Sequence, residues 1–394
     1  MNLSFQQTVG CTSSQIEKQS NQLKKIQSRL NKIVITRSED QPESSIILPY
    51  LLTSHKKILS MAKKYRTKKL KCVVVIGIGG SNLGTKAIYD ALRLYTSSEH
   101  ACTLIFLESV SSGALLSTST LLKSFQDPEA FLLVTISKSG GTTETIVNME
   151  ALFETLQTSY KKDVLEKRCV VISDEGSKFW LAAKEKHIDC LAIPKMVGGR
   201  FSVFSAVGLF PLALVGINVR ALLEGAKMAI ENGLSRDTLK NHALISACTT
   251  FIHAKKSRSI HNSFFFAPEL ESLGKWYRQL MGESIGKEKD LEGKIVHTGL
   301  TPIISIGSTD LHSMAQLYFS GADDKFTNII SVQKSKRVSV PKSLLFPNLV
   351  DHLTSKSFDD VMSAIVGGVC ATYKKINRPF LSIELEHIHE QELG

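Results

Sequence analysis

The sequence has few cysteines, and their spacing excludes the simplest disulfide and metal motifs. Its seven cysteines are scattered over 394 residues, with no Cys-x-x-Cys pair. Two of them, Cys72 and Cys169, lie in apolar runs of the kind that form buried strands. An odd number of scattered, core-like cysteines is typical of a reduced protein. We therefore expect a cytoplasmic protein without a disulfide framework.

Long hydrophobic runs are also missing. The longest apolar stretch, residues 203–217, is too short to span a bilayer and contains Pro211. Residues 1–22 lack a basic segment followed by an apolar core, so they do not resemble a signal peptide. We expect no membrane partner, and we interpret residues 203–217 as a buried helix.

The charge of the chain is unbalanced, at +11 with 48 Lys and Arg against 37 Asp and Glu. Its densest basic runs, residues 63–71 and 334–337, carry no row of aromatic side chains suited to base stacking. No zinc or helix-turn-helix signature accompanies them. These runs therefore favour solvated faces that steer an anionic substrate, and we expect no nucleic-acid partner.

Apolar, β-branched runs alternate with helical stretches along most of the chain. This pattern predicts an α/β fold with two doubly wound domains, each a mainly parallel sheet flanked by helices. The predicted domains are an N-terminal helical arm (1–48), a first domain (49–217) and a second domain (218–394). The predicted strands are 72–76, 103–107, 131–136, 168–173 and 188–193 in the first domain, and 260–266, 302–306, 327–332 and 380–385 in the second.

Two loops rich in glycine and hydroxyl groups each follow a predicted strand. The first reads Gly-Ile-Gly-Gly-Ser-Asn-Leu-Gly at 77–84, and the second reads Ser-Lys-Ser-Gly-Gly-Thr-Thr-Glu at 137–144. A strand followed by such a turn and a helix start presents free backbone N–H groups to an anion. Glycine allows close approach, and small hydroxyls add donors. Two such loops in one sheet predict a phosphate site.

Neither loop matches a nucleotide motif. The dinucleotide fingerprint fails at its last position, which is Asn82, and a Walker lysine would have to stand one residue before Lys86. A single phosphate held by amides and hydroxyls therefore fits both loops better than a nucleotide does.

Three further residues could supply chemistry. Arg200 follows Gly198 and Gly199, Glu283 follows an apolar helical stripe that we expect to end at Gly282, and His312 follows a predicted strand. Together with a phosphate site, these residue types suit the isomerisation of a sugar phosphate, in which a carbonyl moves between C1 and C2. A carboxylate can carry the proton between these carbons, and a cation can stabilise the enediolate intermediate. A histidine can protonate the ring oxygen as the sugar opens. Taken singly, each is better explained as structural: Arg200 as a surface ion-pair partner, Glu283 as a solvated loop residue and His312 as a core histidine.

The motifs together resemble the glucose-6-phosphate isomerase family of the bacterial type, over about four-fifths of the chain. They are GIGGSNLG, SKSGGTTET, VGGRFSVFSAVGL, QLMGESIGKE and GSTDLHSMAQLY. The resemblance implies two sugar-isomerase (SIS-type) domains and a homodimer that uses neither a metal nor an organic cofactor. It implies isomerisation of glucose 6-phosphate and fructose 6-phosphate.

The same resemblance implies a role for each site residue. Glu283 is the base that carries the proton between C2 and C1, Arg200 stabilises the enediolate, and His312 assists ring opening from the neighbouring subunit. The residues expected to bind the phosphate or line the substrate loop are Ser81, Ser137, Lys138 (through its backbone N–H), Ser139, Thr142, Gly79, Gly80 and Gly199.

Two departures from the family pattern leave alternatives open. Gly141 stands where the family has a threonine, and the sequence ends at Gly394, before the family's C-terminal helix with its active-site lysine. Lys374 and Lys375 precede the last strand and are not assigned that role. The alternatives are a sugar-phosphate-binding protein with impaired turnover, and an isomerase that also accepts mannose 6-phosphate.

A metal-dependent isomerase is a further alternative. The residues that could support it are the histidines and glutamates of 386–390, but HExxH fails there because position 393 is Leu.

Overall fold

A computed structural model describes residues 2–95, 102–238, 240–334, 338–347 and 349–394. The chain divides into two compact units. Ser28–Met228, with Gly394, forms what we call the central unit. The segment that ends at Gln27, together with Ala229–Leu393, forms the terminal unit.

The bounds of the regular elements follow. The strands in the described residues are β1 (Asn2–Ser4), β2 (Cys72–Ile76), β3 (Thr103–Leu107), β4 (Phe131–Ile136), β5 (Cys169–Asp174), β6 (Asp189–Ile193), β7 (Ile260–Phe265), β8 (Lys287–Lys289), β9 (Ile295–Thr298), β10 (Thr301–Ile306), β11 (Lys325–Val332) and β12 (Phe380–Leu385). The α-helices there are α1 (Ser13–Thr36), α2 (Leu52–Tyr65), α3 (Leu83–Leu92), α4 (Ser112–Ser124), α5 (Thr143–Leu156), α6 (Lys162–Glu166), α7 (Lys178–Glu185), α8 (Ala206–Leu214), α9 (Val219–Gly233), α10 (His242–Lys255), α11 (Glu271–Ile285), α12 (Ala315–Ser320), α13 (Phe358–Lys375) and α14 (Glu390–Leu393).

The central unit is built on a parallel sheet with the strand order β3-β2-β4-β5-β6. Every residue of β2 and β4 is buried, as expected for strands of β-branched and aromatic side chains covered on both faces. The chain reverses its winding direction between β2 and β4. Open α/β sheets bind ligands at such a switch point, outside the carboxyl ends of the strands.

Helices of the central unit cover this sheet as their apolar patterns dictate. The α5 helix packs Met149, Leu152, Phe153 and Leu156 against the core that β2 and β4 form. The predicted buried helix is α8, which is buried along its whole length. It begins where the side chain of Ser205 accepts a hydrogen bond from a first-turn N–H.

The terminal unit winds its parallel strands in the same way, in the order β10-β7-β11-β12. Its switch point lies between β7 and β11. The short strand β1 adds an antiparallel edge beside β12, which the sequence pattern did not predict. Gly274 allows the α11 helix to pack closely on this sheet, since a Cβ at this position would lie only 2.7 Å from Ile304 and 2.8 Å from Phe265.

The predicted fold class is confirmed, and all nine predicted strands are present with ends within two residues of those expected. One expectation was wrong. The α11 helix does not end at Gly282 but continues to Ile285, and its last turn closes when the N–H of Gly286 donates to the carbonyl of Gly282 at 3.1 Å. One glycine costs a helix only about 1 kcal/mol relative to alanine, which the flanking helix formers offset.

Strands β8 and β9 form an exposed hairpin after α11.

Among the described residues, no helix combines the length and the apolar character needed to cross a bilayer. Of the second basic run, residues 335–337 lie outside the described residues.

Candidate active site

The first glycine loop, residues 77–84, connects β2 to α3 at the carboxyl edge of the central sheet. Its tight turn requires small residues. A Cβ at Gly77 would lie 2.9 Å from the side chain of Ser81 and 3.0 Å from the carbonyl oxygen of Ile136, at the end of β4. Gly79 has a φ of 59°, in the left-handed region that favours glycine. The loop therefore lies directly beside the end of the neighbouring strand.

Gly80 brings the backbone of this loop against the segment that carries Arg200. A Cβ at Gly80 would lie 2.3 Å from the carbonyl carbon of Gly199 and 2.5 Å from the nitrogen of Arg200, so no larger residue fits. The hydroxyl of Ser202 donates to the carbonyls of Gly80 at 3.3 Å and of Gly199 at 2.6 Å. The half-buried guanidinium of Arg200 lies 4.5 Å from the ring centroid of Phe201. The backbone of Arg200 is thus held against the first loop.

The second loop, residues 137–142, joins β4 to α5 and forms its own hydrogen-bond frame. The hydroxyl of Ser137 is buried and lies 3.0 Å from that of Thr142. Ser139 is exposed, and its hydroxyl accepts the N–H of Gly141 at 3.4 Å. No side chain caps the first turn of α5. That turn can therefore present N–H groups to an anion, beside the hydroxyls of Ser139 and Thr142.

Lys138 ties the second loop to the segment that leads to Arg200. Its ammonium donates hydrogen bonds of 2.8 Å to the carbonyl oxygens of Lys195 and of Val197. From the sequence, only the backbone N–H of Lys138 is expected to bind the phosphate. The structure adds a second role, in which the side chain holds two site segments together.

A polar cluster around the buried Asn82 supports the first loop. Asn82 is fully buried, and its amide donates to the carbonyl of Gly77 at 2.9 Å and to the carboxylate of Glu108 at 3.0 Å. Lys86 donates to the same carboxylate at 2.8 Å. No sequence motif pointed to Glu108, because its partners lie 22 and 26 positions away.

The last residue of β5, the strand beside β4, is acidic. Burial raises the pKa of Asp174 from its ordinary value, while Lys138 and Lys195 act to lower it. The backbone N–H of Asp174 donates to the carbonyl of Lys138 at 3.1 Å. This residue therefore braces the second loop as well.

In the terminal unit, Glu283 lies in the last turn of α11 and is exposed. The sequence pattern predicted that Glu283 would lie just past the end of the helix. Because Glu283 lies within the helix, the helical backbone orients its carboxylate more firmly than a loop would. The amide of Gln279, one turn earlier, donates to its Oε1 at 2.9 Å. The i,i+4 spacing of these residues is the signal that could have identified Gln279 as a partner of Glu283.

His312 is also in the terminal unit and lies on the turn after β10, as predicted. It is exposed. Asp310 shapes the turn, because its carboxylate accepts the N–H of Ile306 at 2.7 Å and the hydroxyl of Ser313 at 2.8 Å. The interpretation of His312 as a core histidine is therefore wrong.

The histidines and glutamates near the C-terminus form local contacts. The carboxylate of Glu392 accepts the backbone N–H groups of Glu386 and His387, at 3.1 and 3.0 Å. The ring of His389 accepts the N–H of Glu392 at 3.2 Å. Within the described ranges, no group of three His, Cys, Asp or Glu residues is arranged to hold a metal ion.

Within the central unit, the structure brings together both loops and the segment of Arg200. It does so at the carboxyl ends of β2 and β4, on either side of the switch point. This arrangement is typical of an α/β protein that binds a phosphorylated ligand.

Comparisons with known proteins give the family. The model of the family described as phosphoglucose isomerase matches residues 24–394. The chain is 33% identical over 322 residues to glucose-6-phosphate isomerase of Methanocaldococcus jannaschii, covering 82% of this chain and 74% of that one. It is 33% identical over 355 residues to glucose-6-phosphate isomerase of Carboxydothermus hydrogenoformans, covering 88% and 75%. The chain belongs to the phosphoglucose isomerase family.

Solved structures share the fold. A hypothetical protein of Thermus thermophilus superposes with a TM-score of 0.84 at 24% identity, covering 100% of this chain and 92% of that one. A glucose-6-phosphate isomerase of Chlamydia trachomatis gives a TM-score of 0.74 at 21% identity, covering 89% and 67%.

Proposed function

We propose that this chain catalyses the reversible isomerisation of glucose 6-phosphate and fructose 6-phosphate through an enediolate. One observation carries the proposal: two loops rich in hydroxyl and N–H groups flank the switch point of the central sheet, and the backbone of Arg200 packs against the first of them. Membership of the phosphoglucose isomerase family supports the same reaction.

The phosphate would be bound by the central unit. Ser139 and Thr142 offer hydroxyls beside the uncapped first turn of α5, and the N–H of Lys138 and the hydroxyl of Ser81 complete the set. Ser137 would act through its hydrogen bond to Thr142. The glycines at positions 79, 80 and 199 would let the sugar approach the backbone.

Glu283 would act as the base that transfers the proton. Its carboxylate removes the proton from C2 and returns it to C1, and the hydrogen bond from Gln279 fixes its orientation. Arg200 would stabilise the negative oxygen of the enediolate that forms in between. His312 would protonate the ring oxygen as the sugar opens.

The direct test is the conversion of fructose 6-phosphate to glucose 6-phosphate by the purified 394-residue chain, with a chelator present. Turnover that the chelator does not change supports the proposed mechanism. Absence of turnover by the folded protein would contradict it.

We further propose a homodimer in which His312 acts in the site of the partner subunit, and a cytoplasmic location. The seven free cysteines support the location. The hairpin of β8 and β9 supports the dimer, because Leu291, Ile295 and Val296 are all exposed on it.

The dimer is tested by changing both Leu291→Glu and Ile295→Glu and measuring mass by light scattering. We expect a monomer that has lost most of its turnover. The matched control is Leu345→Glu, a similarly exposed leucine outside the hairpin, which should leave the dimer intact. A fully active monomer would contradict the role of His312 across the interface.

A further inference from the structure

The terminal unit contains a cavity that the proposed reaction does not use. Its volume is about 430 Å³, which is within the range of small-molecule sites. The residues that line it lie around the amino ends of β7 and β12. His312 follows the carboxyl end of β10, so this cavity is at the opposite edge of the same sheet.

The described residues that line the cavity include positively charged side chains but no carboxylate. The positively charged side chains are those of Lys256, Arg258, Lys374 and Arg378. The two guanidiniums share a single carboxylate, Asp323, which is not among the lining residues. Four cations against one carboxylate leave an excess of positive charge.

The surrounding hydrogen bonds fix the geometry of these cations. The ring of His253 accepts a hydrogen bond from Arg258 at 3.2 Å and donates one to the carbonyl of Val9 at 2.6 Å, an arrangement that requires a neutral imidazole. Burial lowers the pKa of His253 to about 4, and Arg258 and Lys256 contribute in the same direction. Arg258 is thereby held in place at the cavity wall.

Polar groups complete the lining. The hydroxyl of Thr8 is buried and has no hydrogen-bond partner among the described residues. Asn377 adds an exposed side-chain amide. Cations and an amide are donors that bind phosphate oxygens.

We propose that this cavity binds a small phosphorylated molecule, at a site separate from the phosphate loops of the central unit. A competing explanation is that Lys256 and Lys374 only compensate the carboxyl ends of α10 and α13, where they lie. The chain supplies a matched pair that separates the two explanations. Lys255 and Lys375 lie at the same helix ends but do not line the cavity.

The experiment uses inorganic pyrophosphate as the probe, titrated by calorimetry into the full chain. All variants carry Ser139→Ala and Thr142→Ala, so that binding at the loops is weakened throughout. Lys256→Gln with Lys374→Gln should weaken pyrophosphate binding by about tenfold, since each lost lysine removes a charge-assisted contact. Lys255→Gln with Lys375→Gln, which removes the same net charge, should change it by less than about twofold.

Equal weakening in both pairs would overturn the proposal, because it would show only a general effect of charge. Unchanged binding in the Lys256 and Lys374 pair would overturn it as well, as would no binding to the parent protein. The same lysine changes made in the wild-type background should leave isomerase turnover unchanged. The result is therefore independent of whether the proposed reaction is correct.

Discussion

The central and terminal units wind their parallel strands in the same order, but they line those strands with different side chains. In the central unit β2 and β4 are almost wholly apolar, and the polar groups are confined to loops beyond the strand ends. In the terminal unit the middle strands bury His261, Asn262 and Asn328. We infer that the repeated fold supplies two scaffolds, of which the central one binds by backbone and hydroxyl groups and the terminal one carries the acid–base residues.

The largest predicted effect concerns the base. Glu283→Gln keeps the shape of the side chain and removes its ability to accept a proton, so kcat should fall by about 1,000-fold while KM changes little. The measurement is steady-state turnover of fructose 6-phosphate. Glu17→Gln, an exposed acid on α1 of the same unit, is the control and should behave as wild type. Near-normal turnover by Glu283→Gln would assign the base elsewhere.

The next effect concerns the contact between the two site segments of the central unit. Gly80→Ala places a methyl 2.3 Å from the backbone of Gly199, so the segments must separate and Arg200 must shift. We expect kcat/KM to fall about 100-fold, as displacements near 1 Å do in active sites. Gly141→Ala is the matched control, because a Cβ there meets no atom within 4 Å. If both variants behave alike, the close packing of Gly80 has no role in the site.

A smaller effect is expected from the hydroxyls of the second loop. Changing Ser139 and Thr142 together to alanine removes two donors to the phosphate, and KM should rise by roughly tenfold or more while kcat is retained. Conversely, Gly141→Thr restores the hydroxyl of the family pattern in open space and should lower KM. An unchanged KM in the double alanine variant would place the phosphate elsewhere.

A further effect concerns stability rather than turnover, and it distinguishes the units by pH. Burial lowers the pKa of both His253 and His261 in the terminal unit to about 4, against 6.5 for an exposed histidine. As the pH falls from 6.5 to 4, the unfolded chain binds protons that the folded unit does not, so the free energy of unfolding decreases by up to roughly 3 kcal/mol per histidine. In the described part of the central unit, burial lowers the pKa of one histidine, His55.

Fluorescence can follow the two units separately, because Trp276 lies in the terminal unit and Trp180 in the central unit. In variants that keep one tryptophan each, the urea midpoint reported by Trp276 should fall more steeply between pH 6.5 and 4. Parallel slopes for the two tryptophans would contradict this account.

The strands and both loops could be predicted because their signals are local. A run such as Cys72–Ile76 is apolar and β-branched almost throughout, and its glycine loop follows at once. The support of those loops could not be predicted. Lys138 contacts carbonyls 57 and 59 positions away, and no periodicity encodes such a contact. The end of α11 was placed wrongly because a lone glycine was taken to stop a helix that packing stabilises.

We propose that the central unit binds the phosphate and that the terminal unit carries the base. The most direct test is proton exchange at saturating fructose 6-phosphate in deuterated water, followed by NMR. We expect the double variant Ser139→Ala and Thr142→Ala to exchange the C1 proton still at nearly the wild-type rate, although it requires more substrate. We expect Glu283→Gln to bind fructose 6-phosphate with unchanged affinity and to exchange almost no proton, as this proposal requires. Loss of exchange at saturation in the loop variant, or retained exchange in Glu283→Gln, would contradict it.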